Sequence, residues 1–196
     1  MEIDPNDAIG DSAKEQQSRL NALVAITVAL LATFIGVCKV KDDNIVQAMQ
    51  RAQADKIDHW AWYQAIHVRE QVLSDQLALL RVEKAVGDPA HQPDYDKEIA
   101  ATEGRLHHET EHKDQIGAQA KADQDRYDSL NYKDDQFDLS DAMMALAISL
   151  LAITALVQKR WLYSVALIPA SIGLLMGLAG LFGWHIHSDL IAGLLS

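Results

Sequence analysis

Three runs of uncharged residues constrain this chain more than any other feature. They are "LNALVAITVALLATFIGVC" (Leu20–Cys38), "AMMALAISLLAITALV" (Ala142–Val157) and "WLYSVALIPASIGLLMGLAGLFGW" (Trp161–Trp184), and none contains Asp, Glu, Lys, Arg or His. As helices the first and third are long enough to cross a hydrocarbon core about 30 Å thick. The second is short, but Leu139 and the aliphatic stem of Lys159 extend it. One such run can be the buried helix of a soluble domain, but three within 196 residues describe a multi-pass membrane protein.

The fold class expected is all-α: three transmembrane helices with a long antiparallel, coiled-coil-like helical hairpin inserted between the first and second. The segments are an acidic, polar N-terminal tail (1–19), span 1 (20–38), an extramembrane hairpin (39–141) turning near 87–93, span 2 (142–158), span 3 (161–184) and a short interfacial tail (185–196). The residues before the first run are mostly polar and acidic, so a cleaved signal peptide is not expected. Cys38 is the only cysteine, which excludes an intrachain disulfide.

The net charge of −11 is concentrated in the middle of the chain, where Lys41 to Asp141 holds 22 acidic and 12 basic residues. That balance excludes nucleic acid, whose phosphates need clustered Lys and Arg. It also opposes lying flat on anionic lipid. Pro89 and Pro93 sit in "GDPAHQP", a turn, and helical patterns flank it on both sides. In the first arm Ile45, Met49, Ala52, Trp60, Tyr63, Ile66, Leu73, Leu77 and Leu80 make a stripe at steps of three and four, with Glu70 on the same line. The second arm has a thinner stripe, Ile99, Leu106, Ile116, Ala120, Tyr127, Leu130 and Phe137, with Glu109 and Lys113 in its seam. Two thin arms bury little surface alone, so bundling with further copies or with a protein partner at the hairpin is expected. Trp60, Trp62 and Tyr63 fall within four residues and cannot all face one seam. Seam packing by Trp60 and Tyr63, with Trp62 covering the side, is the simplest arrangement. Glu70, His67 and Arg69 can form a polar layer that sets register.

In span 3, Ala166, Ala170, Gly173, Gly177 and Gly180 recur at steps of four, three, four and three. A face of small residues lets another backbone come close, either a span of the same chain or a second copy. Trp161, Tyr163 and Trp184 bracket this span as interfacial anchors do. Lys159 and Arg160 share one side of the membrane with Lys14 and Arg19, which the positive-inside rule makes cytoplasmic. The hairpin is then periplasmic and the location a bacterial inner membrane.

"HHETEH" contains H-E-x-x-H, with His108 and His112 one turn apart as in zinc peptidases. Glu111 and Lys113 place charge where such a helix packs into a core, and no third ligand is set by the sequence. His108 and His112 are therefore weak metal candidates on a solvated face, and no cofactor or catalytic residue is expected. His185, His187 and Asp189 in "HIHSD" are a second weak grouping, read as a polar collar. The spans carry hydroxyls (Thr27, Thr33, Ser149, Thr154, Ser171) but no ionisable groups, so an oligomeric pore lined by hydroxyls is the alternative to a scaffold. A membrane-tethered zinc peptidase is the remote alternative.

"WAWYQA" in the first arm, and "QKRWLY" between spans 2 and 3, together with the segments around them, resemble a bacterial membrane family catalogued as domain of unknown function forty-three thirty-seven. The likeness covers about Lys14 to Gly183. It implies three spans around a long helical insertion and brings no activity or catalytic residues. The expectation is a non-enzymatic, lipid-embedded, self-associating structural or interaction scaffold.

Overall fold

The computed structural model describes residues 5–184, with side chains from Glu15 onward. Three long helices account for almost all of them: α1 (Pro5–Val86), α2 (Gln92–Val157) and α3 (Arg160–Phe182), with a 3₁₀ turn at Pro89–His91. No strand occurs among the described residues. Each helix contains one stretch long and apolar enough to cross a membrane, with mean hydropathy of 2.3, 2.0 and 2.1 in chain order. The described residues are thus all-helical, with three helices long and apolar enough to cross a membrane.

The helix breaks follow from local chemistry. Asp88 precedes a proline and is extended (φ −65°, ψ 132°), the conformation that proline imposes on its predecessor. Its carboxylate accepts from the Ala90 amide at 2.9 Å, and its carbonyl accepts from His91 N at 3.0 Å, closing the turn. The Gln92 side chain donates to the open Lys84 carbonyl at 2.8 Å. Between α2 and α3 the chain reverses through Gln158 (φ 58°) and the extended Lys159. At the end of α3, Gly183 is left-handed (φ 69°), and the Gly183 and Trp184 amides both bond to the Ala179 carbonyl, a glycine-dependent helix stop.

Contacts divide the chain into two units. The first joins the residues up to Gln47 with those from Leu130 on, and the second is Ala48–Ser129. The core of the first unit gathers Val24 and Leu31 of α1, Met144, Ala147 and Leu151 of α2, and Ala166 and Ala170 of α3. Thr27 Oγ1 and the Tyr163 hydroxyl hydrogen-bond between α1 and α3 at 3.0 Å.

The small-residue face of α3 lies in that unit and is filled by the same chain. A Cβ built on Gly173 would stand 2.8 Å from Met144 Cγ and 3.0 Å from the Ser140 carbonyl oxygen. One on Gly177 would stand 2.6 Å from the Phe34 ring, and one on Gly180 2.8 Å from the Phe137 ring. Of the two arrangements the sequence allows, intramolecular packing occupies Ala166, Ala170, Gly173, Gly177 and Gly180, all of them buried. This approach brings Ser140 Oγ within 2.8 Å of the Gly173 carbonyl, a buried bond from α2 to α3. Ser140→Ala is expected to cost about 1 kcal/mol, read as a lower detergent unfolding midpoint; an unchanged midpoint would show that the bond contributes nothing net.

The second unit pairs residues of α1 with residues of α2. Its buried apolar residues are few: Met49, Ala52, Ile66 and Leu77 from α1, Ile116 and Ala120 from α2. Leu73 and Leu80 are half-buried beside Leu77. Two helices share a single buried seam, and polar contacts occupy much of it.

Candidate functional site

At the middle of the second unit, Glu70 sits on the seam side of α1 and collects donors from three neighbours. Lys113 Nζ lies 2.9 and 2.7 Å from its two oxygens, Thr110 Oγ1 3.0 Å from Oε1, and His67 Nδ1 3.1 Å from Oε2. Glu70 and Lys113 are 15% and 16% exposed at the side chain, so the pair is largely out of water. The Lys113 ammonium above all, then His67, pulls the Glu70 carboxyl down to about 2, and the Glu70 carboxylate raises Lys113 in return. Arg69 approaches Glu109 at 3.8 Å on the same level. The polar layer read from Glu70, His67 and Arg69 thus has its partners on α2. Lys113 and Glu109 both occupy positions named in that arm's seam.

The aromatic group is distributed differently from the sequence expectation. Tyr63 is the seam residue, with its ring against Gly117, where an added Cβ would lie 3.2 Å from Tyr63 Cε2. Trp60 is 43% exposed and meets Tyr63 edge-on at 5.3 Å, so it borders the seam rather than filling it. Trp62 is 46% exposed and packs edge-on against the His112 ring at 5.4 Å. One turn beyond Tyr63, Ile66 is fully buried.

The H-E-x-x-H residues do not converge. His108 is exposed, and its ring centroid lies 6.2 Å from that of His112, which Trp62 covers. Glu109, the residue that would serve as base, turns to Arg69. Among the described residues no group of three His, Cys, Asp or Glu side chains is arranged to hold a metal ion. His185, His187 and Asp189 lie outside the described residues.

Two features escaped the sequence reading. His59 Nδ1 meets Asp123 Oδ2 at 2.6 Å, beside Lys56, which bonds Gln124 at 2.9 Å and lies over the Tyr127 ring at 5.4 Å. The first unit also holds an acidic collar. Asp42 is only 4% exposed; one of its oxygens accepts from Lys39 Nζ at 2.8 Å, and Asp134 shares a hydrogen bond with its carboxylate. Burial, then the neighbouring Asp42, pushes Asp134 up to about 6, and burial followed by Asp42 raises Asp138. Lys39 is raised by the same Asp42 carboxylate. The cleft here, lined by Ile35, Cys38, Lys39, Asp42, Phe137, Ser140 and Asp141, has room for one water at most. The five candidate pore hydroxyls each donate to a backbone carbonyl on the preceding turn: Thr27 to Leu23, Thr33 to Ala29, Ser149 to Ala145, Thr154 to Leu150 and Ser171 to Ile168.

The second unit also carries exposed apolar surface. Ile57, Val68, Val72, Leu79, Val82 and Val86 of α1 are all 55–81% exposed. No cleft with converging reactive groups competes with that surface as a functional feature among the described residues.

The model of a family described as "Domain of unknown function (DUF4337)" matches residues 20–183. No curated protein and no solved structure matches the chain.

Proposed function

The chain belongs to this family of unknown function, and we propose that it is a self-associating membrane scaffold, not an enzyme, that presents an acidic helical hairpin. The hairpin reading rests on the order of contacts in Ala48–Ser129. Along α1, Lys56, His59, Tyr63, Glu70, Arg81 and Lys84 meet Gln124, Asp123, Gly117, Lys113, Glu103 and Asp96 of α2. Partner numbers fall as α1 advances, as they do in two antiparallel helices joined by a short turn. Lys159 and Arg160 between the last two spans, with Lys14 and Arg19 before the first, favour a cytoplasmic side for those loops. The hairpin then lies on the outer, periplasmic side of a bacterial inner membrane.

The observation that carries the scaffold reading is the exposed apolar line on α1 outside its membrane-spanning stretch. Large exposed apolar surface away from lipid marks an interaction site. Because the glycine face of α3 is already occupied within the chain, association falls to the hairpin. The test is the native mass of the full chain in lipid nanodiscs. A whole-number multiple of the chain mass is expected. A monomer at every protein-to-lipid ratio would overturn self-association.

A further inference from the structure

The exposed line on α1 has a period. Val68, Val72, Leu79, Val82 and Val86 are 58–81% exposed and separated by four, seven, three and four residues, and Asp75 fills the one missing step. Ala61 and Ala65, also exposed, continue the alternation of four and three toward the N-terminus. The result is a heptad line over 61–86, apolar at every step but Asp75, roughly half a turn round the helix from Ile66 and Leu77, which face α2. We propose that this second seam is where two copies of the chain join, α1 against α1, as a parallel coiled coil; the proposal rests on the self-association reading above.

Three observations select a second copy as the occupant. A strict 3–4 repeat fits another long helix at a shallow crossing angle, and 61–86 is long enough for the three to four heptads that such a coil needs. The outward face of α2 has no large apolar residue on the matching line, where Gly104, His108, Glu111, Gln115, Ala118, Ala122 and Asp125 are exposed. The charges are also compatible. In a parallel pair Gln64, Gln71 and Ala78 of one copy face Arg69, Gln76 and Glu83 of the other, so the flanks of an otherwise acidic unit set no like charges together.

A contact about 39 Å long and about 10 Å wide covers on the order of 400 Å² of each copy. That is less than the roughly 800 Å² per partner of a free soluble complex. Membrane anchoring supplies the difference, because two copies inserted in the same sense present this seam in parallel and at high effective concentration. Asp75 is the exception within the seam: two copies in register would place their Asp75 carboxylates in one layer, which weakens the pair.

The test is cysteine crosslinking of the full chain in membranes, in a Cys38→Ser background. Val72→Cys and Leu79→Cys are expected to form covalent dimers, and Gln115→Cys on the outward face of α2 to stay largely monomeric. Adding Asp75→Asn to Val72→Cys should favour the dimer roughly tenfold at limiting protein density, the effect of removing a like-charge pair from a partly desolvated seam. Crosslinking that is no stronger at Val72→Cys than at Gln115→Cys overturns the seam. If the nanodisc mass is still that of an oligomer, the scaffold reading survives and another surface joins the copies. If it is that of a monomer, both readings fall together.

Discussion

Gly173→Leu is expected to disrupt the membrane unit, lowering its stability by about 3 kcal/mol or more. The reason is steric and lies within one chain. A Cβ at Gly173 would meet Met144 Cγ at 2.8 Å, the Ser140 carbonyl oxygen at 3.0 Å and the Met144 amide nitrogen at 3.2 Å. A methionine side chain can move aside, but the other two atoms are backbone of α2, so α3 must back away. Separation also breaks the Ser140–Gly173 hydrogen bond and exposes the packing of Ala166 and Ala170. Helices in lipid gain little from hydrophobic burial, so lost close packing has no substitute. The measurement is unfolding in mixed micelles, with Gly36→Leu as control because nothing lies within 4 Å of a Cβ at Gly36. The loss should be independent of protein concentration, as an intrachain contact requires. A Gly173→Leu chain as stable as the wild type, or one rescued by raising protein concentration, would sink the argument.

The contrast between these two glycines shows how far a sequence can be read in such a chain. Long uncharged runs identify three membrane-competent helices because lipid tolerates no other composition over that length. The Gly/Ala spacing of span 3 identifies a face meant for close approach. It does not identify what approaches, since Phe34, Phe137 and Ser140 are brought to that face only by the packing of three helices. Local break chemistry is similarly readable: Gly87, Asp88 and Pro89 end a helix wherever they occur in such a pattern.

In the second unit, Trp60 and Ile66 lie one turn to either side of Tyr63, and the residue spacing alone does not decide which of them the seam follows. The proximity of Gly117 admits the Tyr63 ring, and Trp60 is displaced to the rim. The outer seam of α1 was legible as a second 3–4 repeat, yet it is easily missed. Apolar lines on opposite faces of one helix cancel in any measure of amphipathicity, leaving α1 to look evenly mixed. The Glu70–Lys113 contact is the opposite case, because each residue is visible on its own stripe but their meeting depends on the register of one helix against the other.

That contact carries the second large expected effect. Lys113→Leu should destabilise the helix pairing in Ala48–Ser129 more than loss of any exposed ion pair there, since it leaves Glu70, 15% exposed, without its main counter-charge. Thr110 and His67 would still donate to Glu70, but neither carries a permanent positive charge. Glu70→Leu alone should be damaging for the mirror-image reason. The double substitution should recover most of the loss, because two leucines extend the seam of Ile66, Leu77 and Ile116 and strand no charge. Acid should mimic the Glu70 defect. The folded carboxyl is depressed from 4.5 to about 2, so its contribution is complete above pH 4.5 and disappears as pH falls through that interval. Amide hydrogen exchange over Ala48–Ser129, followed from pH 5 to 2 after correction for intrinsic rates, reads this region directly. The wild type should lose protection across the window, whereas Glu70→Gln should begin less protected and change less. A double mutant no better than either single mutant would mean that Glu70 and Lys113 act separately. A wild-type acid profile matching that of Glu70→Gln would mean that the carboxylate does not hold the two helices in register.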